Sequence, residues 1–568
     1  MKVILCVLFL ALVDYALSKD FFVTLPESSG TLHAVADDNA TVVVFKGVRY
    51  AQPPVGSRRW MPPQAYVPAN NTSAVREATE FGNVCIQEAS DTFESRMDED
   101  CLFLNIDVSV DMLDHSALMK EGVPAPVPVP VVVFVHGGSY VRGAGLVYRG
   151  TDAIDFWKKQ AIVVTFEYRL NVFGFLGAEE LRVQDGASKS TGNYGLQDQR
   201  LALQWVQQNI AAFGGDPQRV TLMGESAGGG SVANHLSMKK SWGLYDSAII
   251  ESGSFSQWIC HSMSKAQSSF DQMLMATDCR DVSCLLATDA TALFQAAKSL
   301  PTYSSLALED LPFSPTVDGV ELLTHPWLAL ASGDIDDVPL LHGTNADEGL
   351  LFTSLSRDAS ADDLLTEWRD VQGYSPEEMR ALEGLYGAQE YSHVPTVTHA
   401  WWQGQRSLGD KWFSCPAEYT SQQLTALSLS LPGRQSPTFM YHFEHPGHMS
   451  HYVVHGAEMA YVFHWSVVSA SKKDAYMADA TCSYWGNFVL DANHDVNTQT
   501  VGLQGLSEWP PYADSGTAGR GGEGGGGGGR VQVLLDEGAI TTQRGLKEDE
   551  CEFFIQYIDA AIRKEFTN

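Results

Sequence analysis

The sequence predicts an α/β fold, a large and mostly parallel sheet covered by helices on both faces. Three observations carry that expectation. Short, wholly apolar runs such as Val131–Val135 and Ala161–Phe166 suit strands buried on both sides rather than half-wetted ones. Helical-period segments separate them, most clearly about 193–212, where Leu196, Leu203, Val206 and Ile210 recur at helical spacing. Finally, the apolar stretch Val220–Met223 drives into Gly224-Glu225-Ser226-Ala227-Gly228, a tight strand-to-helix turn.

Taken in order, the first eighteen residues read as a secretory leader: Lys2, the apolar run Val3–Val13, then small residues at Ala16-Leu17-Ser18. The apolar run is shorter than the about 20 residues a membrane span needs, and no later stretch is long enough. The remaining 19–568 reads as a single domain. Phe21–Tyr50 suggests an antiparallel hairpin with a β-branched run at Thr41–Phe45. Ala51–Pro63 is proline-rich and irregular. Leu102–Val110 reads as a strand, and the Pro-alternating Pro124–Pro130 as a stiff lead-in to Val131–Val135. Further strands are expected at Ser247–Ile250, Val338–Leu341, Thr438–Phe443 and Val531–Leu535. Ser262–Leu311 and Ser354–Gln435 are helical in pattern and form a cap, and Glu550–Phe566 is a closing helix. Gly516–Arg530 is low-complexity and reads as an expanded hairpin loop between Trp509-Pro510-Pro511 and the last strand.

Composition narrows the function. A formal net charge of -32 opposes nucleic-acid binding, which needs basic patches. Of nine cysteines, Cys6 lies in the leader, leaving an even set suited to disulfides in an oxidising compartment. No CxxC pair or His/Cys cluster points to a metal. Sequons at Asn39, Asn70 and Asn71 are candidate glycosylation sites on a secreted chain.

The turn at Ser226 carries the chemistry. A serine hydroxyl is a weak nucleophile and needs an adjacent base and nearby donors. Gly-x-Ser-x-Gly between strand and helix is the nucleophile elbow of α/β-hydrolases, whose partners follow in the order serine, acid, histidine, with an oxyanion loop upstream. His136-Gly137-Gly138-Ser139, straight after a core strand, has the form of that loop, and the N–H of Ala227 joins it. The acid should follow Val338–Leu341, where Asp347 and Glu348 are both placed to orient an imidazole. His442, His445, His448, His451, His455 and His464 all crowd the region for the base, and spacing does not choose among them.

Several motifs together resemble the type-B carboxylesterase family, which includes animal carboxylesterases and cholinesterases. They are Glu99-Asp100-Cys101-Leu102-Phe103-Leu104-Asn105, Asn193-Tyr194-Gly195-Leu196-Gln197-Asp198-Gln199, Phe213-Gly214-Gly215-Asp216-Pro217, Gly224–Gly229 and Trp509-Pro510-Pro511. The resemblance covers nearly the whole mature chain. It implies Glu348 as the acid and His455, in Val454-His455-Gly456-Ala457-Glu458, as the base. It places oxyanion donors on Gly138, Ser139 and Ala227. The position of Ser139 is usually glycine in the family, so its Cβ calls for a less easy backbone geometry. The resemblance also implies the bridges Cys85–Cys101, Cys279–Cys284 and Cys415–Cys551; Cys260 and Cys482 match none and stay open as a further pair or as buried thiols.

The implied activity is hydrolysis of small-molecule carboxylic esters through an acyl-enzyme, with no metal or organic cofactor. Trp258, Phe313 and Phe352 are candidate gorge residues, and a neutral imidazole base implies that the rate falls below about pH 6.5. A cholinesterase would carry a choline-binding tryptophan where this chain has Asp91, and its acyl-pocket run is reduced to Leu311-Pro312-Phe313. A hormone esterase of the juvenile-hormone type would have Gln before the serine instead of Glu225. A general carboxylesterase is therefore the leading expectation. A specialised esterase of either kind and a non-catalytic neuroligin-like adhesion protein are the alternatives.

Overall fold

The computed structural model describes residues 18–567 apart from 27–29, 38, 69–73, 89–93, 114–126, 185, 304–307, 388–395, 432, 435, 448–450, 470, 513–529 and 535–539. The leader therefore lies outside the described residues except for Ser18, as do Asn70, Asn71, Asp91 and His448. So does the glycine-rich stretch apart from Arg530.

Twelve strands matter here: β1 (Ser18–Thr24), β2 (Thr31–Asp37), β3 (Val42–Arg49), β4 (Phe103–Ser109), β5 (Val129–Val135), β6 (Ile162–Phe166), β7 (Gly215–Glu225), β8 (Ser247–Glu251), β9 (Leu340–Asn345), β10 (Thr438–Phe443), β11 (Arg530–Leu534) and β12 (Ile540–Arg544). The last ten form one sheet in the order β12-β11-β10-β9-β8-β7-β5-β6-β4-β3. From β6 through β5 and on to β11 every pairing is parallel. Antiparallel strands finish both edges. The expected fold class is the observed one.

Alternation along the strands explains the unbroken apolar runs. Val131, Val133 and Val135 enter the core on one face with Leu222 and Ile250. Val132 and Phe134 enter the opposite core with Met223, Ile249 and Phe439. Each strand is covered on both sides, so no position along it can be polar without cost.

Two sequence expectations are corrected. Phe21–Tyr50 does contain an antiparallel hairpin, β1 with β2, but its β-branched run leaves the hairpin to pair with β4 at the edge of the main sheet. The strand expected to form a hairpin with Trp509-Pro510-Pro511 instead has β10 and β12 as its neighbours, since β11 pairs with both. Elsewhere the elements stand within a few residues of expectation. They include helix α1 (Tyr194–Asn209), helix α2 (Ala227–Ser237) directly after β7, and the closing helix Glu548–Phe566.

The structure contains the disulfides Cys85–Cys101, Cys279–Cys284 and Cys415–Cys551. Cys260 and Cys482 are separate buried thiols, not a fourth bridge. Asn39 is exposed in the turn after β2. No described helix is long and apolar enough to cross a membrane.

Candidate active site

The chain crosses back from β6 to β7 on the far side of β5. That reversal opens a crevice at the carboxyl ends of β5 and β7, the position where open α/β sheets bind ligands. Every residue singled out for chemistry follows the carboxyl end of one of these strands: His136–Ser139 after β5, Ser226 after β7, Glu348 after β9 and His455 after β10.

Ser226 sits at φ 56° and ψ -123°, a region L-residues rarely occupy. Its N–H donates to the Glu251 carbonyl at 2.8 Å, and its carbonyl accepts from the Gly230 N–H at 2.8 Å. These two bonds tie the turn to β8 and to α2 and hold the strained conformation. Close packing explains the flanking glycines: a Cβ on Gly228 would run into the Val135 carbonyl oxygen, and one on Gly224 into the Gly228 backbone.

The preceding loop is equally crowded. A Cβ on Gly137 would lie 2.9 Å from the Ser226 Cβ. Gly138 has φ 110° and Ser139 φ 55°, so the serine in this loop adopts the left-handed backbone that glycine would take without cost. The Gly138 carbonyl accepts from the Val141 and Arg142 N–H groups at 3.0 Å each. The N–H groups of Gly138, Ser139 and Ala227 have no acceptor among the described residues. Ala227 opens α2, so its N–H also stands at the positive end of a helix.

Glu348 and His455 meet. The His455 Nδ1–H donates to Glu348 Oε2 at 2.6 Å, while Glu348 Oε1 accepts from the Ser252 hydroxyl at 2.5 Å and the Asn345 N–H at 2.6 Å. Asp347, the other candidate acid, does different work. It exchanges backbone and side-chain hydrogen bonds with Val453 and pairs with Arg406 at 2.8 Å, which laces the segment carrying His455 to the end of β9. The His455 ring packs against Phe413 and Phe352 at centroid distances of 4.7 and 5.1 Å. Of the other histidines, His445 bonds Asp474 and His464 bonds Asp479, and His442 is buried beside Thr344.

Two acidic groups were not assigned a role by sequence reasoning. Glu225 Oε1 lies 3.2 Å from His455 Nε2, though that nitrogen makes no hydrogen bond among the described residues. Glu458 is fully buried, takes a hydrogen bond from Asn345 and another from the Tyr441 hydroxyl at 3.3 Å. No spacing rule marks either one; Glu225 merely precedes the serine and Glu458 ends the histidine motif.

Their charges reset the His455 imidazole. Burial opposes a charge on His455, but the carboxylates of Glu225 and Glu348 and the Glu348 hydrogen bond outweigh it and carry the imidazole up to about 9. Burial in turn raises Glu225, with Glu348 adding to the effect and His455 opposing it. Burial with the neighbouring Glu348 and Glu225 pushes Glu458 up to about 8.

Ser226, His455, Glu225, Gly138 and Ser139 share a cavity of about 390 Å³ with Glu88, Val141, Arg142, Lys298, Tyr303, Leu308, Leu311, Leu351 and Phe352. That volume suits a small organic molecule. Of the three candidate gorge residues, Phe352 is in that lining. Trp258 and Phe313 are not in the lining: they are buried behind it, Trp258 against Phe413 and Phe313 against Tyr303.

A doubly wound sheet with a serine elbow at its switch point defines an α/β-hydrolase. The Carboxylesterase family model matches residues 26–519, and the chain belongs to that family and is a carboxylic ester hydrolase. It is 29% identical over 513 residues to the cocaine esterase of Oryctolagus cuniculus, covering 85% of this chain and 88% of that one. It is 30% identical to the cholinesterase of Mus musculus, covering 84% and 78%, and 30% identical to the acetylcholinesterase of Leptinotarsa decemlineata, covering 74% and 70%.

Proposed function

We propose that the chain is a secreted serine carboxylesterase with Ser226, His455 and Glu348 as its triad. His455 takes the Ser226 proton as the hydroxyl attacks the ester carbonyl, and Glu348 holds the imidazole tautomer and stabilises the imidazolium. The N–H groups of Gly138, Ser139 and Ala227 receive the oxyanion, each donor contributing about 3 kcal/mol in sites of this kind. The imidazolium then protonates the departing alkoxide. In the second half-reaction His455 activates water, which releases the acid and regenerates the serine.

The observation that carries this reading is the 2.6 Å hydrogen bond from His455 to Glu348, with His455 lining one cavity with a serine held in a strained turn. Left-handed Ser139 supports its place among the donors, because the loop keeps the glycine-like geometry although the residue is not glycine. A leader at 1–18 and the disulfides support secretion.

The test is a fluorophosphonate probe followed by peptide mapping. Label on Ser226 in the folded protein is the expected result; labelling elsewhere, or none, would overturn the triad. N-terminal sequencing of protein from culture medium tests secretion, with a start near residue 19 expected.

A further inference from the structure

Besides the Tyr303 phenol, the cavity has five charged or titratable groups in its described lining: Glu88, Arg142, Glu225, Lys298 and His455. Four are matched among themselves. Lys298 pairs with Glu88 at 2.8 Å, and Glu225 lies 3.2 Å from His455. Arg142 is left over. Its guanidinium is exposed and makes no hydrogen bond or ion pair among the described residues, in a chain where acids outnumber bases by 69 to 37.

Its position is not that of a drifting surface arginine. The Arg142 N–H is bonded to the Gly138 carbonyl at 3.0 Å, which roots the side chain on the loop that carries the candidate oxyanion donors. A Cβ on Gly138 would lie 3.0 Å from the Arg142 Cγ, so the aliphatic stem runs against that loop. Tyr303, on the same cavity wall, is close enough to Arg142 and Glu88 to feel both charges, and its hydroxyl has no hydrogen-bond partner among the described residues. A guanidinium and a phenol without hydrogen-bond partners, beside the Lys298–Glu88 pair in one lining, leave donors there with no acceptor of their own.

We propose that the site prefers esters whose non-reacting part ends in an anionic group, a carboxylate, sulfate or phosphate, bound by Arg142 with Tyr303 and Lys298 beside it. The proposal rests on the serine-esterase reading and adds a substrate class to it. It also separates this site from one built for a quaternary ammonium, which Arg142 would repel.

Matched ester pairs test it. On the acyl side, 4-nitrophenyl pentanoate is compared with mono-4-nitrophenyl glutarate; on the alcohol side, phenyl acetate with 4-carboxyphenyl acetate. The expected result is a higher kcat/KM for the anionic member of at least one pair, by about tenfold, the worth of one charge-assisted hydrogen bond. Arg142→Gln should bring that ratio towards one, and Arg142→Lys should keep much of it. Using a ratio within each variant cancels any general loss of activity. Preference for the neutral member in both pairs, or a ratio that Arg142→Gln leaves unchanged, would overturn the anion site while the serine-esterase reading stands. Failure to hydrolyse any of the four esters, together with no fluorophosphonate labelling, would remove both.

Discussion

The floor and the wall of the cavity are built by different rules. The floor consists of strand ends and the turns that leave them. At Gly137, Gly224 and Gly228 an added Cβ would meet backbone or the serine itself. The wall consists of side chains from the connecting segments: Arg142, Lys298, Tyr303, Leu308 and Leu351, of which Leu351 is 53% exposed. Floor positions are held by backbone packing, which admits few residues. Wall positions are held mainly by what the substrate needs, so the chemistry is stiff where the specificity is free.

Mutations can break this contrast. Ser226→Ala should lower kcat by at least about 10⁴-fold, as loss of the nucleophile does in enzymes with a serine triad, with little change in the unfolding midpoint. A residual rate above a few per cent would move the nucleophile elsewhere. Gly228→Ala should cost about 3 kcal/mol or more of stability, since the new methyl meets the fixed Val135 carbonyl rather than a movable side chain. Denaturant unfolding reads it, and a loss under 1 kcal/mol would mean the elbow can shift, contrary to the packing described.

Glu225→Gln acts between floor and wall. With His455 carried to about 9, the rate with a neutral ester should climb with pH towards that value, well above the 6.5 of a free imidazole. Removing the Glu225 charge, the largest of the groups that raise His455, should move the inflection to lower pH. An inflection that stays in place would show that Glu225 does not set it.

The same groups link stability to pH. A raised His455 keeps its proton in the folded state between about pH 6.5 and 9 while the unfolded chain releases it. Glu458, raised to about 8, holds a proton that an unfolded carboxyl releases near 4.5. In each case the folded state binds more protons, so stability should fall as pH rises through these windows. The unfolding midpoint should therefore drop from pH 6 to 9 as activity increases; a flat midpoint would count against these shifts. The smallest effect is expected at the wall: Leu351→Ala should change stability by less than about 0.5 kcal/mol and show itself in KM for longer esters.

The elements easiest to foresee were those with local physics behind them. Strands buried on both faces must be apolar throughout, which marked β5, β6 and β7, and a serine between glycines after such a strand has few other uses. The proposed acid and base were legible only through a family resemblance, because Asp347 and Glu348 are neighbours on one loop and six histidines crowd one region. Folding separates them by reach: Glu348 turns to His455, and Asp347 turns to Val453 and Arg406. Trp258 and Phe313 lie behind the cavity lining for a related reason. A large aromatic near a site can equally fill the core behind it, and no one-dimensional pattern tells the two apart.

By itself the sequence determined the sheet, the elbow and the order in which a nucleophile and its partners occur, since each follows from periodicity or from backbone space that only glycine fills. Tertiary structure decided the rest. It brought Glu225 and Glu458 around His455 and moved its titration upwards, and it left Arg142 without an ion pair of its own among the described residues, beside the loop of Gly138. Those outcomes depend on distances between residues far apart in the chain, and Coulomb energies and burial follow distance in space rather than separation along the chain.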